Sequence, residues 1–189
     1  MRRRSALLVG AALGVGAVAF LVVVSERGGA PSRTQFTGSD FTSPHETPFS
    51  HAEQVDLATA IVDAPFRIIR PHHPAASDES ITEVWLQRAS PQTEGTAQVA
   101  LWYASGLEVH LSRVSPNDPD PLSADFPDGF PVSYETLGDT PIRVIPPGIQ
   151  GEGQPGSVTM VRDGVFISLF GWLPGFDADQ LRDIAGTVD

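Results

Sequence analysis

The 189-residue chain contains no cysteine and no lysine, and its 23 acidic side chains against 12 basic ones leave a formal net charge of -11. Each absence excludes something. Without cysteine there is no disulfide, thiol nucleophile, zinc–thiolate centre or lipid-modified N-terminal cysteine. Without lysine, every basic side chain other than histidine is an arginine. Alongside abundant Ala, Gly, Pro and Asp, that bias fits a GC-rich bacterial genome such as an actinobacterial one. The acidic balance argues against nucleic acid as a partner, since phosphate binding needs clustered Lys or Arg. It favours solubility and repulsion from anionic surfaces. What is present is an ordinary 41% hydrophobic fraction, enough for a core.

The longest uncharged stretch is at the start. Ala6 to Val24 contains only apolar residues and glycine. As a helix it would span about 28 Å at about 1.5 Å per residue, against a hydrocarbon core of about 30 Å. Arg2, Arg3 and Arg4 precede it, and the positive-inside bias keeps them cytoplasmic with the rest of the chain outside. We therefore expect residues 1–5 as a cytoplasmic basic tip, 6–24 as a single-pass membrane anchor, 25–49 as a flexible linker and 50–189 as an extracytoplasmic domain. The competing reading is a cleaved secretory leader. Its apolar region would be about 7–15 residues, shorter than this one. Gly10 and Gly14 lie four apart, a spacing that lets two spans approach closely, although small residues are common in membrane helices. In the linker Phe36, Phe41 and Phe49 stand isolated, as a disordered stalk or as docking points.

The domain reads as α+β: a helix, seven or eight short antiparallel strands, and a second helix, with both helices on one face. Ser50 and Glu53 have capping-box spacing ahead of a stripe at Val55, Leu57, Ala58, Ile61 and Val62, with Pro65 ending the helix. Phe66 to Ile69 reads as a strand. In the next strand Thr82, Val84 and Leu86 share one face, and Ile81, Glu83 and Trp85 the other. A hairpin follows: Val99, Leu101, Tyr103, Leu107, Val109 and Leu111 point one way, and Trp102, Glu108 and His110 the other. A strand pair turns at Gly138-Asp139, and a type I′ hairpin turns at Asp163-Gly164. The last helix is capped by Asp177, with Gln180 three later, and buries Leu181, Ile184, Ala185 and Val188.

The hairpin "WYASGLEVHL", the turn Asp163-Gly164, Gly171, and Leu181-Arg182-Asp183-Ile184-Ala185 carry a resemblance. Over the last fifth of the chain plus that hairpin, the sequence resembles an extracytoplasmic domain-of-unknown-function family of Gram-positive, actinobacterial single-span membrane proteins. Gln180 stands where that family usually has Glu. The family is sometimes attached to anti-sigma or envelope regulators. Only Met1 to Ser5 precede the apolar run, so no cytoplasmic anti-sigma domain is expected here. The resemblance brings no catalytic residues with it.

Reactive side chains are sparse. His72 and His73, with His45 and His51 upstream, lack any diagnostic metal spacing and read as solvated loop residues. Asn117, Asp118, Asp120, Asp125 and Asp128 could offer oxygens to calcium, but EF-hand spacing is absent and Pro119 and Pro121 stiffen the loop. Ser105 and His110 have no nucleophile elbow around them. Gly151, Gly153 and Gly156 do not precede a helix, so they form no phosphate loop. No catalytic residue, cofactor or metal is expected. The candidate ligand or interface residues are Trp85 and Trp102; the alternative is that both are plain core. The functional expectation is a membrane-anchored, non-enzymatic binding domain with an envelope protein partner, in sensing or assembly. The alternative is a tethered lipid or small-ligand carrier with an apolar groove.

Overall fold

In a computed structural model the described residues are 48–114, 120–124, 126–149, 154–172 and 174–189. They belong to one compact unit, His45–Asp189. The expected basic tip, membrane span, Gly10/Gly14 pair, Phe36 and Phe41 lie outside the described residues.

Eight strands form one sheet: β1 (Glu53–Val55), β2 (Ile81–Gln87), β3 (Gln98–Tyr103), β4 (Glu108–Arg113), β5 (Ser133–Leu137), β6 (Thr140–Ile145), β7 (Gly156–Arg162) and β8 (Val165–Gly171). Their spatial order is β1-β2-β3-β4-β8-β7-β6-β5, and every pairing is antiparallel. The sheet is two four-stranded meanders joined where β4 meets β8. Two helices, α1 (Leu57–Asp63) and α2 (Ala178–Ala185), complete an α+β fold.

Local chemistry sets the turns. Asp163 and Gly164 have φ of 51° and 72°, the paired positive values of a type I′ turn, whose twist matches the flanking strands. The strands alternate with period two, so one face collects Val84, Leu86, Val99, Leu101, Val109, Leu111, Ile142, Val144, Val158, Met160, Ile167 and Leu169. Leu181, Ile184 and Ala185 of α2 close over it, joined by Phe176, Val188 and Ile69. The Asp177 carboxylate accepts from Gln180 N, and the Gln180 side chain accepts from Asp177 N, each at 2.8 Å, so the expected capping box is formed. Arg182 of α2 donates through Nε and Nη2 to both oxygens of Glu135 on β5, at 2.9 and 2.8 Å.

The structure corrects the sequence reading in four places. The expected helix from Ser50 does not form. Glu53–Val55 is a strand, because its edge pairs with Val84–Leu86, and helix begins only after Asp56 caps Thr59 N at 2.6 Å. The anticipated apolar stripe is buried only in part: Val55 and Leu57 pack against the core, but Ala58, Ile61 and Val62 are exposed, the last two at 51% and 81%, and Ala60, outside the stripe, is the buried residue of α1. Phe66 to Ile69 is irregular chain ending in a single bridge, Pro71 to Val188. A bulge between Ile81 and Glu83 turns Ile81 toward the core cluster, away from the face shared by Glu83 and Trp85.

Candidate functional site

The face away from α2 is polar in its middle. Cross-strand register sets one row across it: Tyr134, Arg143, Thr159, Ser168, His110, Ala100, Trp85 and Gln54. A parallel row places Glu83 opposite Trp102, Trp102 opposite Glu108, Glu108 opposite Phe170, and Phe170 opposite Ser157. Glu108, His110, Ser157, Thr159 and Ser168 are all buried. Buried polar groups persist when they bond one another. Here the Thr159 and Ser168 hydroxyls lie within hydrogen-bond distance at 3.3 Å, and the Glu108 carboxylate lies close to the His110 ring, Oε2 to Nε2 3.3 Å, as a charge neighbour.

Two segments roof these rows. Phe49 sets its ring edge-on to His110 at 5.1 Å, and Phe170 does so from the sheet at 5.0 Å. At the other end Phe126, stacked on Phe130 at 4.9 Å, lies under the Arg143 guanidinium, whose Nη1 donates to Leu122 O at 3.0 Å. Burial pulls the Arg143 guanidinium below its ordinary value, with Tyr134 acting the other way. On the opposite face, burial pushes the Tyr103 phenol well above the usual range.

The tryptophans meet at the β1 end of this face. Their ring centroids are 6.3 Å apart, inclined at 52°. Trp85 is half-buried, and its Nε1 donates to Glu83 Oε2 at 2.9 Å. Trp102 is 6% exposed, and its Nε1 has no acceptor among the described residues. Glu83 also lines a recess of about 270 Å³, together with Asp56, Asp78 and Thr82.

The other candidate residues are not brought together. His72 Nε2 meets Asp189 at 2.6 Å, and His73 Nε2 meets Asp183 at 3.4 Å, so the two rings serve different carboxylates. The His73 Nδ1 accepts from Ala75 N at 3.1 Å. His51 is exposed, and His45 lies outside the described residues. Asp120 caps a turn at Ser123, and Asp128 is exposed; Asn117, Asp118 and Asp125 lie outside the described residues. Among the described residues no group of three or more His, Cys, Asp or Glu is placed to hold a metal ion. The Ser105 hydroxyl donates to Ala75 O at 2.6 Å and serves its turn, while His110 belongs to the roofed face. Gly156 is a packing glycine: a Cβ there would lie 2.6 Å from the Pro147 ring. Gly151 and Gly153 lie outside the described residues.

Sequence reasoning placed Trp102, Glu108 and His110 on the right face but missed Arg143, Thr159 and Ser168. The signal was there. In "PIRVI", "VTM" and "FISLF" one polar residue stands between core residues. No family model, curated protein or solved structure matches the chain.

Proposed function

We propose that the chain is a membrane-anchored, extracytoplasmic, non-enzymatic binding domain, and that an envelope protein docks at the Trp85–Trp102 corner. The observation that supports it is that tryptophan pair: a half-buried ring beside a buried one, held against a carboxylate at the margin of a polar face. Tryptophan is enriched where one partner anchors in another. The hydroxyls near His110 are buried and bonded to each other, which supports binding over chemistry. The polar rows also favour a protein partner over a lipid carried in an apolar groove. The tether rests on the length of the Ala6–Val24 run and the arginines before it. The proposed kinship with actinobacterial envelope domains agrees with both parts. Among the described residues no helix is long and apolar enough to cross a membrane.

The test is fractionation with surface proteolysis. The reading expects the chain to stay with alkali-washed membranes, and protease added to intact cells to remove its body. Recovery of the mature chain in the soluble fraction, starting beyond Val24, would overturn the tether. Binding is read by co-purification from detergent-solubilised membranes. Trp85→Ala should lose an envelope protein that Tyr134→Ala retains, and equal recovery by both variants would contradict docking at this corner.

A further inference from the structure

We propose that the arginine cluster at the β7–β8 turn binds the phosphate of an anionic lipid headgroup, and so seats this end of the domain on the bilayer. The inference rests on the tether reading and is independent of the tryptophan corner. Even at full extension, residues 25–47 would let the domain reach no further than about 80 Å from the proposed span. Strand register builds the cluster. Arg113 at the end of β4 and Arg162 at the end of β7 both lie opposite Val165, the first residue of β8. Cross-strand partners share a face, and at about 5 Å per pairing the two arginine Cα atoms stand on the order of 10 Å apart. Their face is the one under α2. Val109 and Leu111 precede Arg113 at two-residue steps, Val158 and Met160 precede Arg162 likewise, and all four belong to the core. Val165 between them is 1% exposed, while Arg113 is exposed and Arg162 half-buried. Arginine stems lie along apolar surface in this way and leave their charged ends in water. Arg67 arrives from the chain before β2. Phe66 and Ile68 on either side of it pack on the core, and its guanidinium reaches the turn 3.7 Å from the Asp163 Oδ2.

The charge here runs against the rest of the molecule. Arg70, Arg88 and Arg182 each hold a carboxylate. Among the described residues Arg113 and Arg162 hold none, and Arg67 has the long pairing with Asp163. Asp163, and the exposed Asp139 on the neighbouring β5–β6 turn, are the carboxylates that the sheet places beside the cluster. They leave the three guanidiniums in excess. A carboxylate takes one guanidinium in a two-point contact, whereas a phosphate has oxygens for two at once, and arginine is the side chain whose planar fork suits it. A net charge of -11 repels an anionic bilayer from the chain as a whole, so close approach is confined to where positive charge gathers. A tethered domain meets headgroups at high effective concentration, and modest affinity at the cluster is then enough to orient it.

The experiment uses the full chain in neutral maltoside micelles, following the Nε–H signals of Arg67, Arg113 and Arg162 by nuclear magnetic resonance. The micelles are doped with phosphatidylglycerol, whose phosphate is an uncompensated anion, or with phosphatidylcholine, whose choline offsets it. Phosphatidylglycerol should shift the Arg113 and Arg162 signals and saturate, and phosphatidylcholine should not. The deacylated headgroup, glycerophosphoglycerol, at the same total concentration should bind at least tenfold more weakly, because it lacks the shared micelle. Arg113→Gln and Arg162→Gln should each weaken the lipid response of the remaining arginines about tenfold. Ala104→Glu, exposed in the β3–β4 turn at the other end of β4, changes the net charge by the same amount and should leave that response unchanged. Equal shifts with phosphatidylcholine, equal binding of the soluble headgroup, a response untouched by both arginine substitutions, or one lowered as far by Ala104→Glu would each overturn the proposal. If phosphatidylglycerol moves neither signal while alkali-washed membranes still hold the chain, only the headgroup site falls and the tether stands.

Discussion

At Gly171 there is no room for a side chain. A Cβ built there would lie 2.6 Å from Cβ of Phe176, a core residue between β8 and α2 in sequence. Gly171→Ala should therefore displace Phe176 from the core and lower stability by about 1–3 kcal/mol, the range for overpacking, read as a fall in Tm of several degrees. The ion pair of Glu135 with Arg182 gives a second prediction. The Arg182 hydrogen bonds, with a further one from Ser133, hold the Glu135 carboxyl below the usual glutamate range. Its folded value is thus below its unfolded value of about 4.3. The stabilisation is present above that unfolded value and is lost as pH falls through the folded one. Glu135→Gln should cost on the order of 1 kcal/mol at pH 7, since the pair is about one-third exposed and screened by solvent. Chemical denaturation should find the gap between the two proteins closing below about pH 4. At this scale the sequence was legible where a residue acts on near neighbours, as at Asp163-Gly164 and at Asp177 with Gln180. Glu135 and Arg182 lie 47 positions apart, and nothing local announces their pairing.

The elements were legible in proportion to how far their own residues determine them. The hairpins and α2 carry turn and cap chemistry in their sequences, and they form as read. The stretch from Ser50 to Ile69 does not, because tertiary contacts decide it. Glu53–Val55 satisfies its backbone by adding to the edge of β2, which removes three residues from the helix that Ser50 and Glu53 would have capped. Two substitutions separate the two registers. Asp56→Ala removes the acceptor for Thr59 N and should lower Tm detectably, whereas Ser50→Ala should leave Tm unchanged. The opposite ranking would restore the longer helix. The bulge at Ile81 shows the same limit, since strict alternation cannot report an extra residue inserted to turn one side chain inward.

Over the whole molecule the sheet divides its work between two faces. The face under α2 is closed by aliphatic side chains and accounts for stability. The other carries buried polar rows under Phe49 and under Leu122 and Phe126, and ends in the tryptophan corner. Alternation within single strands separated the faces, so Trp85 and Trp102 were placed together from sequence. The roof was legible only in part: Phe49, one of the isolated phenylalanines read as stalk or docking points, docks on His110, whereas Phe126 sits in a proline-rich segment with no period of its own, and only the assembled sheet gives it something to cover. The most direct test of the docking corner is in-cell crosslinking from a photo-reactive residue placed in turn at Trp85 and at Tyr134. Both positions lie in the same row at opposite ends of the sheet, and Tyr134 is the open one, 57% exposed. The account predicts a discrete envelope adduct from position 85 and none from 134. Adducts of equal yield from both, or from 134 alone, would contradict it.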